Sequence, residues 1–90
     1  MSLSIHLSTV FKHDLKRIKK RGWDIDLLND VVEMIRTGVK LPAKFYDHLL
    51  TGNWRNRREC HIKPDYLLIY HVENDVLYLD RVGSHSDLDL

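Results

Sequence analysis

The chain has 90 residues, 43% hydrophobic and 30% charged, with 14 Lys and Arg against 13 Asp and Glu. That length predicts a single domain over residues 1–90, and the composition excludes a disordered chain or a coiled coil. The formal net charge of +1 argues against a uniformly basic nucleic-acid binder. The balance is uneven along the chain, however. Every Lys and Arg except Arg81 precedes Glu73, whereas Glu73, Asp75, Asp80, Asp87 and Asp89 crowd the last stretch. A basic body with an acidic tail can still present a strongly basic face. Cys60 is the only cysteine, so no internal disulfide can form. The opening residues lack the basic and apolar regions of a signal peptide, and no run approaches the ~20 apolar residues of a membrane span. A cytoplasmic protein without membrane contact is expected.

In chain order, Ser4–Leu7 alternates as a short first strand. Ser8 or Thr9 can cap a helix whose apolar positions Phe11, Leu15 and Ile18 fall on one stripe, with Gly22 ending it. Its other faces carry Lys12, Lys16, Arg17, Lys19, Lys20 and Arg21. Asp24 or Asp26 can cap a second helix with Leu27, Leu28, Val31, Val32 and Ile35 buried, ending at Gly38. Lys40–Asn53 reads as a loop with room for one extended segment. Three strands follow, over Arg57–Lys63, Tyr66–Val72 and Val76–Val82, joined by tight turns at Lys63-Pro64-Asp65 and Glu73-Asn74-Asp75. The order β-α-α-β-β-β predicts an α+β fold, a two-helix hairpin on one face of a small, mainly antiparallel sheet.

If residues 55–63 are extended throughout, Arg55, Arg57, Glu59, His61 and Lys63 share the face away from the helices, and Cys60 and Ile62 pack beneath them. A solvated face of paired charges is the ordinary reading of such a row. Six histidines are many for this length. No HExxH or CxxC spacing accompanies them, so no metal set and no cofactor is expected. Acid–base chemistry suits them better, because imidazole titrates near neutrality. Asp65 can orient a neighbouring imidazole or act as a base, and His85 lies at the end of the last strand. Arg81, just before it, is a candidate clamp for the negative charge of a phosphodiester transition state. RNA supplies its own nucleophile, the 2′-hydroxyl, so a base, an acid and an anion clamp would suffice. Trp54 and Tyr66 are candidate surfaces for stacking a base, whereas Tyr70 and Tyr78 read as core.

The segments Phe45–Trp54, Arg58–Asp65 and Arg81–His85 together resemble the YafQ-type toxins of the RelE/ParE superfamily. The spacings are DHxLxGxW, HIxPD and RxGxH, and the element order also agrees. The resemblance implies the toxin of a bacterial toxin–antitoxin pair, a metal-independent endoribonuclease that cuts mRNA in the ribosomal A site. It implies a catalytic cluster of His48, His61, Asp65 and His85 with a contribution from Arg81. His85 would be the general acid, Asp65 or His48 the base, and His61 a support. It further implies rRNA contact through a basic patch such as Lys16, Arg17, Lys19, Lys20 and Arg21, with Arg55, Arg57 and Lys63 as further RNA-binding candidates. An acidic segment of a cognate antitoxin would cover these basic surfaces. Two other functions remain compatible with the fold: a ParE-like gyrase-binding toxin without nuclease activity, and a non-catalytic RNA- or protein-binding module.

Overall fold

Ser8 starts the first helix and ties it to the sheet. Its hydroxyl accepts from the Phe11 amide at 2.9 Å and donates to the Asp80 carbonyl at 2.9 Å. This joins the N-terminus of α1 (Thr9–Lys20) to a strand more than 70 residues away. The chain enters through β1 (Ser4–Leu7) and leaves α1 at Gly22, whose φ of +76° lets the Trp23 amide reach back to the Ile18 carbonyl. Asp24 then caps α2 (Ile25–Arg36), its carboxylate accepting from the Leu27 amide. The computed structural model describes residues 2–90, and beyond α2 it contains β2 (His48–Leu49), β3 (Arg58–Lys63), β4 (Tyr66–Glu73), β5 (Val76–Gly83) and α3 (His85–Leu88). One-turn 3₁₀ helices at Ala43–Phe45 and Gly52–Trp54 flank β2.

The sheet runs β1-β5-β4-β3-β2, with β1 parallel to β5 and every other pairing antiparallel. The expected α+β architecture is present, with β2 filling the segment left open between residues 40 and 53 and α3 added after β5. Phe11 and Ile18 of α1 and Leu28 and Val31 of α2 bury against Cys60, Ile62, Leu68, Leu77 and Val82. The opposite sheet face is not bare. Leu88 of α3, together with Leu50 and Trp54, covers Leu67 and Ile69 in a second, smaller cluster. Tyr78 is also on that second face, stacked on His71 with ring centroids 4.6 Å apart, rather than in the main core. Among the described residues, no helix is long and apolar enough to cross a membrane.

The row of cations expected over residues 55–63 is broken. The 3₁₀ turn at Gly52–Trp54 and the left-handed Asn56 (φ 69°) hold Arg55 and Arg57 out of the ladder, and β3 starts only at Arg58. Within β3 the predicted alternation holds: Cys60 and Ile62 face the helices, and Glu59 and His61 face away.

α1 is fixed beside β5 by one buried carboxylate. Asp14 is 1% exposed and accepts from Arg81 Nε at 2.7 Å, Arg81 Nη2 at 3.1 Å and the Val82 amide at 3.2 Å. It thereby satisfies an N–H of β5 past the end of its pairing with β1, where a buried, unpaired donor would be costly. Removing one partner of such a pair leaves the other charge buried. Asp14→Ala is therefore expected to destabilise the fold by about 3–5 kcal/mol in urea denaturation. A loss below about 1 kcal/mol would show that apolar packing alone seats α1.

Candidate active site

Strand register assembles the site. β2 pairs with β3 so that His48 lies opposite Glu59, and two residues further along β3 His61 lies opposite Leu67 of β4. His48, Glu59 and His61 thus share the second face of the sheet. Glu59 is 5% exposed and links the two imidazoles, with Oε1 3.0 Å from His61 Nε2 and 3.5 Å from His48 Nε2. His48 Nδ1 lies 2.8 Å from the Tyr46 carbonyl, which can only accept, so Nδ1 carries the proton. In neutral His48, Nε2 then holds the lone pair.

The third imidazole comes from α3. Asp65, in the β3–β4 turn, accepts from the His85 amide at 2.8 Å and from His85 Nδ1 at 2.6 Å. These two bonds, the backbone one first, hold the Asp65 carboxyl below the usual carboxylate range. The bond at Nδ1 orients the ring and leaves Nε2 free of it. Ring centroids lie 6.0 Å apart for His48 and His61 and 5.9 Å apart for His61 and His85. Three imidazoles and two carboxylates from four separate segments therefore form one row.

α3 has only four residues, too few to be stable alone, so its neighbours hold it. Ser84 and Asp87 form a reciprocal capping box, with the Asp87 carboxylate accepting from the Ser84 amide and Ser84 Oγ accepting from the Asp87 amide. Arg21 at the end of α1 makes a bidentate pair with Asp87 at 2.5 and 2.9 Å, and Arg17 approaches it at 3.6 Å. The Arg21 hydrogen bond is the main reason that the Asp87 carboxyl is held far below its usual range. Arg81 Nη2 also donates to the Asp87 carbonyl at 3.3 Å.

Of the residues expected in the site, His48, His61, Asp65 and His85 converge. Arg81 does not stand as an open anion clamp, because its guanidinium is engaged by Asp14 and the Asp87 carbonyl. Tyr66 is 3% exposed on the helix side, packed on Trp23 and donating to the Asp24 carbonyl, and Trp54 is part of the second apolar cluster. Tyr66 therefore offers no free ring face for a base in this arrangement, whereas Trp54 stays half-buried. Arg57 lies 3.6 Å from Asp80, away from the imidazole row, and Arg55 is exposed in the preceding loop. Lys63 is exposed on the rim of the clefts on both sides of the β3–β4 turn. On α1, Arg17 and Arg21 are paired with acids, and Lys16, Lys19 and Lys20 are left exposed. Glu59 was legible as a neighbour of His61 on one face, but nothing in the sequence marked it as the carboxylate between two imidazoles.

His48, Glu59 and His61 also offer three ligand atoms within 4.8 Å of one another. Two imidazoles and a carboxylate suit a divalent transition ion such as copper or zinc. The sequence spacing gave no hint of this set, because its members come together only through strand pairing.

A mainly antiparallel five-stranded sheet backed by two helices, with a row of imidazoles held by carboxylates, defines a small α+β protein that gathers proton-transferring groups on one sheet face. Residues 3–90 match the family described as "Bacterial toxin of type II toxin-antitoxin system, YafQ", and the chain belongs to that family. It is 34% identical over 85 residues to the mRNA interferase toxin YafQ of Escherichia coli K12, covering 93% of this chain and 92% of the relative. The fold superposes on a metal-bound toxin from Helicobacter pylori with a TM-score of 0.90 and 44% identity, over 96% of this chain and 98% of that one. It also superposes on the E. coli DinJ–YafQ toxin–antitoxin complex with a TM-score of 0.89 and 31% identity, over 98% of each chain.

The Asp87–Arg21 contact gives a pH signature. A depressed carboxyl pKa stabilises the fold fully above the unfolded value of about 3.9, and that contribution is lost as pH falls from there through the folded value. Asp87→Asn should therefore melt below the wild type at pH 6, with the gap narrowing steadily at pH values under about 4. Thermal melts of both proteins at pH 6 and pH 3 check this, and an unchanged gap would remove the ion pair as the cause.

Proposed function

We propose that this chain is the toxin of a toxin–antitoxin pair and an mRNA endoribonuclease that works by histidine acid–base catalysis. The row His48–His61–His85, held by Glu59 and Asp65, carries the proposal. Its relatives in E. coli are named mRNA interferases, which favours this reading over gyrase binding and over a non-catalytic module.

The chemistry follows from which nitrogens are engaged. His48 donates from Nδ1 to a carbonyl, so its Nε2 can take the proton of the attacking 2′-hydroxyl. The 2′-oxygen bonds to phosphorus, the P–O5′ bond breaks, and the departing 5′-oxygen takes a proton from His85 Nε2. The products are a 2′,3′-cyclic phosphate and a 5′-hydroxyl. Asp65 positions His85 and balances the charge on that ring while it holds the proton, and the low pKa of this carboxyl makes it a poor base. Glu59 orients His61, the central imidazole, which sits beside the developing phosphorane charge. Lys63 on the cleft rim supplies positive charge in place of the engaged Arg81, which acts by positioning α1 and α3.

Lys16, Lys19 and Lys20 form the remaining open basic strip, suited to rRNA if the mRNA is cut in the ribosomal A site. The partner is an antitoxin, as DinJ is for YafQ in E. coli, and the setting is the cytoplasm, where translated mRNA is found.

Purified protein added to translating ribosomes should cut mRNA, leaving 5′-hydroxyl ends in mapped products, with EDTA present or absent. His85→Ala and His48→Ala should each lower the single-turnover cleavage rate by about 10²–10⁴-fold while the circular dichroism spectrum is retained. Undiminished cutting by His85→Ala would overturn this assignment of the acid.

A further inference from the structure

With Tyr66 buried and Trp54 half-buried against the second apolar cluster, a more open ring is needed to hold the base next to the bond the imidazole row breaks, and one well-exposed aromatic borders that row. Tyr46 is 62% exposed, its ring centroid 4.5 Å from that of His48 at a 36° tilt and 5.3 Å from that of His61, nearly edge-on. The backbone is arranged to place it there. Phe45 is buried and anchors the 3₁₀ turn, and Tyr46 closes that turn in the left-handed region at φ 46°, where its amide reaches the Ala43 carbonyl. A bulky residue is strained in that conformation, and Asn or Gly would close the turn more cheaply. The left-handed turn separates the two rings, Phe45 into the core and Tyr46 into the open. The cleft that Tyr46 borders measures about 530 Å³ and runs between Phe45, His61 and Pro64, with the ammonium-bearing Lys44 and Lys63 also lining it. An exposed ring beside two cations is the arrangement that holds single-stranded RNA: the base stacks on the ring and the backbone follows the charges.

We infer that Tyr46 is the stacking platform for the nucleobase of an RNA nucleotide flanking the scissile bond, with Lys44 and Lys63 on its phosphates. The inference rests on the ribonuclease reading above and adds the residue that fixes the substrate's register over His48 and His61. It also gives the cost of the left-handed turn a purpose, since the ring packs on His48 through part of its surface and leaves the rest to the ligand.

The test uses a hexanucleotide of 2′-O-methyl adenosines carrying one 2-aminopurine, which cannot be cut because no free 2′-hydroxyl is present. Titrating the intact toxin should quench 2-aminopurine fluorescence, as stacking on an aromatic ring does. Tyr46→Asn keeps the left-handed backbone but removes the ring, and Tyr46→Leu keeps apolar cover over His48. Both should bind the hexamer about 5- to 100-fold more weakly and lose the quench, whereas Tyr46→Phe should retain it. In ribosome-coupled cleavage, Tyr46→Asn should raise KM more than it lowers kcat, because the platform binds substrate without moving protons. Equal quenching and affinity in wild type and Tyr46→Asn would overturn the inference, as would the absence of any quench with wild type. Full binding by Tyr46→Leu would instead make the ring a cover for His48. Failure of the wild type to cut mRNA would overturn the ribonuclease reading, and the quench measurement would still decide whether Tyr46 stacks a base.

Discussion

The buried carboxylate of Asp14 is the contact on which the site depends. It holds α1 against β5 through Arg81 and the Val82 amide, and Arg81 reaches on to the backbone of α3. From the other end of α1, Arg21 grips the Asp87 side chain. α3 is thus held from two directions, by Arg21 at the end of α1 and by Arg81 of β5, and His85 is its first residue. Asp65 then has an imidazole in reach. An imidazole on a four-residue helix is held in place only by its neighbours, and here they are tied together by the salt bridge between Arg81 and the buried Asp14 carboxylate. Desolvation opposes that pair, so its three hydrogen bonds give it geometric definition along with net stability.

The same contacts revise the electrostatics. The acidic end of the sequence suggests a region hostile to phosphate, yet Asp87 is occupied by Arg21, and Asp80 lies 2.6 Å from His71 with Arg57 nearby. These acids neutralise arginines that would otherwise be counted as a nucleic-acid surface. What remains open is mostly lysine: Lys12, Lys16, Lys19 and Lys20 along α1, Lys40 after α2, and Lys44 and Lys63 beside the imidazoles, with Arg55 exposed in the loop before β3. Lysine suits such a role, since a mobile point charge can follow a flexible strand, whereas a guanidinium fork favours a fixed partner.

Much of this was legible in the sequence, for definite reasons. The stripe Phe11, Leu15, Ile18 and the caps at Ser8 and Asp24 are local patterns, and local physics realises them. His48, His61, Asp65 and His85 could be grouped from their motif spacings, and strand register and one turn bring them together. The partners of the arginines could not be read, because Asp14 and Arg81 are 67 residues apart and no periodicity couples them. The alternation over residues 55–63 misled because period two says nothing about where extension begins, and a 3₁₀ turn with a left-handed Asn56 delays it to Arg58. Tyr66 looked like a binding surface because an aromatic side chain has the same identity in a core as in a cleft. Glu59 could not be distinguished from a solvated strand acid until β2 set His48 across from it.

The pairing of β1 with β5 has a consequence in time as well as in space. β1 leaves the ribosome ahead of α1, and its parallel partner β5 follows only after β4, with α3 behind it. Until β5 has emerged, α1 has no strand edge to sit on, and until residues 85–88 have emerged the third imidazole is missing. A nascent chain therefore carries two of the three imidazoles of the row, His48 and His61, before the third is in place. The order of assembly therefore leaves the imidazole row incomplete until α3 has joined the finished sheet. The distance along the chain between the first strand and its partner serves as a built-in delay.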